Sequence, residues 1–259
     1  MVESSVPRSQ LEELAEHTEA HFRDIPRFDR IDGGGFVYIA GPRAANLHPY
    51  RVEDVAAAVD WSRAESRRRG HRDIEWWLGW RVEPAGLRDE LLALGLTRSK
   101  DPPTLTGMTC TREPPAAPAI VVRRIDTEQE YAAAVEVDWA VWQLDQEERA
   151  RRRQDEIARF SETEAAGTVH HFTAFLDGRR VGFARAIDMQ NGVALFGGAV
   201  LPEARRRGVY RALVHARWEH AAARGTPVLV VQAGPMSAPV LDGLGFVRHG
   251  EIQLYCDRL

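Results

Sequence analysis

The chain has 259 residues, 44% of them hydrophobic, and its 34 Lys and Arg against 38 Asp and Glu give a formal charge of −4 at pH 7. That balance excludes an overall electrostatic drive toward DNA, RNA or an anionic membrane, so any anion site has to be local. The 2 cysteines, Cys110 and Cys256, are too few for a disulfide framework or a four-cysteine zinc site and fit a reducing cytoplasm. No signal-peptide core is legible at the N-terminus, and no uncharged apolar run reaches the ~18 residues that a membrane span needs.

In chain order, "SQLEELAEHTEAHF" begins with Ser9 and has Glu12 three residues on, which predicts a capping box at the head of an N-terminal helix. "GFVYIAG" reads as a strand. "PYRVEDVAAAVDWSRAESRRRG" reads as an amphipathic helix with Pro49 near its start and Gly70 after its end, and "DIEWWLG" as a second strand. A helix in "PAGLRDELLALGL" is stopped by Gly95, and the strand "LTGMTCTR" follows. "EPPAAPA" combines proline with small residues and has no period, which predicts a semi-rigid linker. The expected organisation is therefore a first domain over 1–112, a linker over 113–118 and a second domain over 119–259.

The second domain opens with a strand in "AIVVRRI" and a helix in "TEQEYAAAVEVDWAVWQL", then a strongly charged, solvated helix. The period then changes. "HHFTAFLDGRRVGFARAIDMQNGVALFGGAV" holds three strand-like runs separated by Asp177-Gly178 and Asn191-Gly192, the strongest short hairpin signals, so three antiparallel strands come in sequence. Next the order becomes strand, helix, strand, helix, strand, and the apolar run 227–231 suits a strand buried on both faces beside a parallel neighbour. A weak repeat links the halves: "ALGLTR" at 93–98 matches "GLGFVR" at 243–248, and "CTR" from Cys110 echoes "CDR" from Cys256. They differ where the second half reads "LPEARRRGVYRAL" and the first "GPRAANLHPYRVEDV", with no glycine before its helix and with Pro49 removing a backbone donor.

That difference points to chemistry. A helix start exposes unpaired N–H groups and the positive end of a dipole, so Arg205, Arg206, Arg207 and Gly208, between a strand and a helix, read as a receptor for phosphate, set against a merely solvated helix start. Charge-assisted bonds worth ~1.5 to 3 kcal/mol each cannot by themselves supply the ~8 kcal/mol of a micromolar ligand once ordering is charged, so the ligand should also carry a tail lying along the preceding strand. A P-loop and a dinucleotide fingerprint both lack their glycine spacing here.

The three antiparallel strands, then "AVLPEARRRGVYRAL", then "VLVVQAG", then a short helix ending "LDGLGF", resemble the GNAT superfamily of acyl-CoA-dependent N-acetyltransferases across 119–259. The superfamily's phosphate motif, Gln/Arg-x-x-Gly-x-Gly/Ala, maps onto Arg205, Arg206, Arg207, Gly208, Val209 and Tyr210, with Tyr210 departing at a position where a small residue is usual. The first half resembles the degenerate copy found in tandem GNAT proteins. The resemblance implies an α/β fold with a mixed sheet. It implies acetyl-CoA as co-substrate, with its diphosphate on residues 205–210 and its pantetheine arm in a gap between "ALFGGAV" and "PVLVVQAG", paired with backbone around Ala199 and Val200. Gly197 and Gly198 sit where a bulge would open that strand.

For the chemistry, many members place a tyrosine acid in the last helix, five residues before the phenylalanine of Gly-Phe. Here that position is Leu241, and the strand before the turn carries no acidic base. Ser237, at the start of the last helix, is the candidate to donate to the leaving sulfur or bind the pantetheine, set against a helix-cap role. Glu136, Asp138, Trp139, Trp142 and Asp145 cluster on the first helix of this half and its exit; Glu136, Trp139 and Trp142 are the expected acceptor-binding residues, since carboxylates with aromatic faces suit a cationic amine, with core and solvated roles as the alternative. His170 and His171 lie on opposite faces of one strand and cannot by themselves form a two-histidine site, so no metal is expected. The expected activity is transfer of an acetyl group from acetyl-CoA to a small-molecule amine by direct attack, by a monomer or homodimer without nucleic-acid or membrane partners. The readings held against it are a catalytically silent acyl-CoA-binding or regulatory module, motivated by Leu241 and the acid-free strand, and an aminoacyl-type transferase, for which no long basic arm is visible.

Overall fold

The computed structural model describes residues 6–259. Helix α1 (Arg8–Glu16) is followed by a 3-10 turn and the strands β1 (Asp29–Asp32), β2 (Phe36–Ala40) and β3 (Ala45–Pro49). Then come α2 (Val55–Arg69), β4 (Asp73–Leu78), α3 (Leu87–Ala93), β5 (Thr97–Arg98) and β6 (Thr104–Cys110). The second half runs β7 (Val121–Ile125), α4 (Glu128–Val141), α5 (Gln146–Ala166), β8 (Val169–Leu176), β9 (Arg179–Met189), β10 (Gly192–Val200), α6 (Val209–Ala223), β11 (Leu229–Ala233), α7 (Ala238–Asp242) and β12 (Val247–Arg258).

All strands join one mixed sheet in the order β1-β2-β3-β4-β12-β6-β11-β10-β9-β8-β7, with β5 beside β12. The order contains an exchange. β6, from the first half of the chain, pairs with β11, while β12, from the second half, pairs with β4, and β6 and β12 lie against each other. Each half thus supplies the strand that closes its partner's sheet, and the 113–118 segment, outside any helix or strand, joins two units whose backbone hydrogen bonds interlock. The repeat seen in "ALGLTR" and "GLGFVR" is structural: Gly95 and Gly245 end α3 and α7 in the same left-handed conformation, at φ 93° and 91°, which a residue with a Cβ adopts only at a cost.

Side-chain alternation along the strands puts two layers of helices on the second half of the sheet. Leu195, Leu229 and Val231 face Leu213 of α6 and Leu241 of α7. Ala194, Val228 and Val230 face Leu14 of α1, and Phe183, on that same face, packs with Tyr131 of α4 and Phe160 of α5. The charged α5 is solvated on one side only, since Glu156, Phe160 and Thr163 are buried.

Two expected elements differ. The helix expected from Pro49 starts at Val55, capped by the Asp54 side chain, which accepts from Ala57 N at 2.9 Å; Pro49 instead ends β3, opposite Phe36. The N-terminal helix has Pro7 as its cap residue with no side-chain cap bond, so Ser9 lies inside the helix and the capping box does not form. Proline's fixed φ suits the helix entrance without any side-chain acceptor. Strands β1 and β3 were not expected: "DRID" has no apolar alternation, and in "ANLHP" Ala45 and Leu47 alternate with Asn46 and His48 over too short a run to stand out.

Candidate functional site

The site starts at a parallel pair that comes apart. β10 and β11 pair only at Val193↔Leu229 and Ala194↔Val230, although β10 continues to Val200 and β11 to Ala233. Beyond those residues a gap opens in the sheet. Against its other neighbour, β9, β10 carries a bulge between Phe196 and Ala199, where Gly197 has φ 55°, so the expected bulge is present at the expected glycines. Ala199 and Val200 lie opposite Phe183 and Gly182. Leu201 N donates to Val181 O at 3.0 Å, and strand alternation then turns the N–H and C=O of Val200 away from β9 and toward the gap.

The chain leaves β10 through Leu201 and a short 3-10 turn, Pro202–Ala204, into the arginines. Arg206 and Gly208 both have positive φ, 61° and 86°, and Gly208 heads α6 without a side-chain cap. The N–H groups from Arg206 to Arg211 make no hydrogen bond of good geometry to any group among the described residues, so the turn and the first turn of α6 present a concave row of donors at the positive end of the helix. The three arginines are exposed but not equivalent. Arg205 Nε donates to Val200 O at 3.3 Å, Arg207 Nη2 to Asp177 Oδ2 at 3.1 Å, and Arg206 has no partner among the described residues. Tyr210, the departure from the motif, is accommodated by Gly198, since a Cβ there would stand 3.0 Å from Tyr210 Cε2.

The bulge has a different environment on each face. On the α4 side, a Cβ on Gly197 would stand 2.6 Å from Arg185 Nη1. Arg185 reaches Asp138 Oδ2 at 3.5 Å, and Asp138 Oδ1 accepts from Trp142 Nε1 at 3.1 Å. Burial pushes the Asp138 carboxyl above the usual carboxylate range, and Arg185 and Trp142 offset it only in part. Behind them Tyr131 donates to Glu156 Oε2 at 3.1 Å, and Arg43, from the first half, reaches Glu156 Oε1 at 3.0 Å. Phe196, exposed beside the bulge, meets Phe22 edge-on at 6.4 Å. On the α6 side lies the fully buried guanidinium of Arg217, which donates through Nε to Leu213 O at 2.9 Å and through Nη1 to Arg185 O at 3.2 Å.

Of the expected acceptor residues, Trp142 alone presents its ring to solvent, at 67% exposure. Trp139 is buried in the core with Arg153 over its ring, and Glu136 is neutralised by Arg149 and Arg153 of α5, because α5 folds back over that face of α4. Asp145 caps α5 by accepting from Glu148 N at 2.8 Å. Asp138 is the member of that group placed at the bulge. Ser237 is half-buried at the N-cap position of α7, where its side chain makes no cap bond and instead donates to Gly234 O at 3.2 Å, so it can donate elsewhere only by giving up that bond. Leu241 is fully buried in the core.

The two histidines diverge as strand alternation requires. His171 packs against Tyr131 and Phe160. His170 Nε2 and His220 Nε2 reach opposite oxygens of Asp188, at 3.1 and 2.9 Å, and these three groups are close enough to hold an ion. Arg224 Nε also sits 3.0 Å from Asp188 Oδ2, which already supplies the cation that the carboxylate needs. A cavity of about 570 Å³ lined by Glu13, His17, His21, Arg30, His48 and Tyr50 lies beside β2 and β3, and Phe22, which meets Phe196 at the bulge, also lines it.

Residues 132–246 match the acetyltransferase (GNAT) family. The fold is similar to that of a GCN5-related N-acetyltransferase from Kribbella flavida (TM-score 0.69, 14% identity, 95% of each chain covered). It is also similar to a conserved protein of unknown function from Staphylococcus epidermidis (TM-score 0.65, 9% identity, 89% of this chain and 94% of that one). A tandem GNAT protein from the clavulanic acid biosynthesis pathway has the same arrangement over 99% of this chain and 90% of its own, with TM-score 0.61 and 15% identity. No curated sequence matches. No helix among the described residues is long and apolar enough to cross a membrane.

Proposed function

We propose, from the premise that residues 132–246 are a GNAT acetyltransferase domain, that the chain transfers an acetyl group from acetyl-CoA to a primary amine of a small molecule. The observation that carries this reading is the conjunction of the open gap beyond Ala194 with the row of unpartnered amides from Arg206 to Arg211. Both fit coenzyme A: the amides and Arg206 suit a diphosphate, and the gap, with Val200 facing it, offers a sheet edge to an amide-containing arm. Bound there, the coenzyme supplies an acyl group already activated as a thioester.

The chain's own residues divide the work across the bulge. Trp142 and Asp138, on the α4 side, receive the cationic amine, the ring through its face and the carboxyl through its charge. Asp138 then takes a proton so that nitrogen attacks as a free base, a role favoured by a carboxyl whose pKa burial has raised above the usual carboxylate range. The N–H of Val200 and the bulge polarise the acyl oxygen. Holding two reactants in line contributes as much as ~7 to 11 kcal/mol in ideal cases, so the absence of a tyrosine at 241 does not bar turnover.

The test is incubation with acetyl-CoA and a panel of small amines while free thiol is followed. Thiol release that requires one class of amine supports the reading. A chain that acetyl-CoA stabilises against heat, yet that releases no thiol with any amine, is instead the acyl-CoA-binding module that buried Leu241 would suit.

A further inference from the structure

We propose that Arg217 of α6 is a further catalytic residue, whose guanidinium accepts the negative charge of the sulfur as it leaves the acyl carbon; the inference rests on the acyl-CoA reading above. Arg217 is 1% exposed. Its Nε and Nη1 are bonded to the carbonyls of Leu213 and Arg185, whereas Nη2 has no partner, and no carboxylate pairs with it among the described residues. Burial pushes its pKa down to about 10, with the phenol of Tyr210 beside it as the one group that opposes this.

An uncompensated buried cation is costly, and removing it for an apolar side chain of similar volume usually stabilises a fold. The bond to Arg185 O explains Nη1, since it satisfies a carbonyl on β9 next to the bulge. It does not explain Nη2. That nitrogen lies 3.9 Å from where a Cβ on Gly198 would stand, and Tyr210 Cε2 lies 3.0 Å from the same point. The missing side chain at 198 therefore leaves room for the ring of Tyr210 and lets the guanidinium approach the backbone of the bulge.

The contrast with Arg185 sharpens the assignment. Arg185 lies on the opposite face of the same bulge and is less deeply buried, with its side chain 19% exposed, and its charge is met by Asp138. Of the two guanidinium groups flanking the bulge, one already has its anion and the other lacks one. Acyl transfer produces an anion at this point. The amine, relieved of its first proton by Asp138, bonds through nitrogen to the acyl carbon, the C–S bond breaks with its electron pair going to sulfur, and the second amine proton passes to water. Arg217 Nη2 donates to the sulfur until solvent protonates it. This is the place where Leu241, buried among apolar side chains, has no proton to give.

The test is titration of the coenzyme A thiol in its complex with the full chain, followed as thiolate ultraviolet absorbance, with the desulfo-coenzyme complex subtracted to remove tyrosine. The wild type should lower the thiol pKa by about one unit or more, as expected for an adjacent opposite charge. Arg217→Met should return it to the value of the free coenzyme, and Arg217→Lys, which keeps the charge, should lie between. In turnover, Arg217→Met should lose about 10- to 100-fold in kcat with KM for acetyl-CoA little changed. With the acetyl selenoester of the coenzyme, whose selenolate leaves without assistance, the deficit should shrink to within about threefold of wild type. If Arg217→Met fails to fold, the Lys variant and the wild-type thiol titration decide alone. Coenzyme binding with an unshifted thiol in the wild type overturns the inference and leaves the acyl-CoA reading standing, as does an equal deficit with thioester and selenoester. Absence of any coenzyme binding removes both.

Discussion

The two halves of the molecule carry the same strand-helix-strand unit, and they part company at the helix entrance. In the first half β3 and β4 pair at Ala45↔Ile74, Asn46↔Glu75 and Leu47↔Trp76, then meet again beyond that point. Glu83 N donates to Tyr50 O at 3.0 Å and Val52 N to Glu83 O at 2.9 Å, so the seam is closed. Of the amides leading into α2, Tyr50 and Arg51 donate to Gly35 O and Ala57 to the Asp54 side chain, while those from Glu53 to Ala56 meet no protein group of good geometry among the described residues. In the second half β10 and β11 separate after Ala194 and stay apart, and the amides leading into α6 meet no protein group of good geometry among the described residues. One unit closes its seam and caps its helix with the Asp54 side chain, while the other leaves its seam open and its helix start without a side-chain cap. The two arrangements differ in a side-chain cap and a short return of the strand, not in fold.

That comparison predicts one coenzyme A per chain, measured by calorimetry or native mass spectrometry; two per chain would break it. It also predicts the largest mutational effect. Gly208→Trp places a ring at the mouth of α6 in a residue at φ 86°. The left-handed backbone costs about 1 to 2 kcal/mol, which a domain of ordinary stability tolerates. Coenzyme binding should fall more than about 100-fold with the thermal transition largely retained, because the backbone donors are covered while the core is untouched. Unchanged affinity would remove the turn from the site.

A smaller effect is expected on the other side of the bulge. Asp138→Asn keeps the size of the side chain near Trp142 but ends its service as a base, so kcat should fall about 100-fold. The rise of kcat with pH should flatten at the same time, since in the wild type the buried carboxyl must ionise before it can take a proton and its pKa lies above the usual range. A pH profile of the same shape in both proteins would exclude Asp138 as the base.

The residues proposed for the donor side were legible in the sequence because they are local. Arg205 to Gly208, the hairpin dipeptides and the Gly197-Gly198 pair lie within one run of chain, and their consequences follow from backbone chemistry alone. The acceptor side was only half legible. Trp139, Trp142, Glu136 and Asp138 could be grouped by helix spacing, but which of them faces the gap depends on α5 folding back so that Arg149 and Arg153 take Glu136. Arg217 gave no signal at all, since an arginine in a helix next to His215 and Trp218 reads as solvated. The strand exchange was hidden for the same reason: the echo of "CTR" in "CDR" marks two equivalent strands but cannot say that each pairs with the other half's sheet.

The halves also share a liability to acid. His17, in the first half, and His171, in the second, are buried, and burial lowers both from 6.5 to about 4. Between those values the unfolded chain binds protons that the folded chain does not, so stability is full above about pH 6.5 and falls as the pH drops toward 4. For His171, in the aromatic cluster with Tyr131 and Phe160, the loss amounts to at most about 3 kcal/mol. His171→Phe should flatten that part of the stability curve in denaturant titrations run from pH 7 to pH 4. If the second half alone then resisted acid, with the first still melting, the interlocking of β6 and β12 would not be enough to make the two halves one cooperative unit.

The smallest effect separates neighbours within the turn. Arg206 has no protein partner among the described residues, whereas Arg207 is held by Asp177 on the β8–β9 hairpin at 3.1 Å. A cation already paired in solvent gives up part of its attraction for a second anion, and an exposed pair is itself worth only about 0 to 1 kcal/mol. Arg206→Ala should therefore weaken coenzyme binding by about 3- to 10-fold at low salt, and Arg207→Ala by less than about threefold, with Asp177→Ala tightening binding slightly by freeing Arg207. Added salt should erase the difference between the variants, because exposed charges are screened within about 10 Å at 0.1 M, while the backbone donors keep most of their contribution. A salt-independent loss in Arg206→Ala would mean that this side chain shapes the turn, through its own φ of 61°, and does not bind the diphosphate.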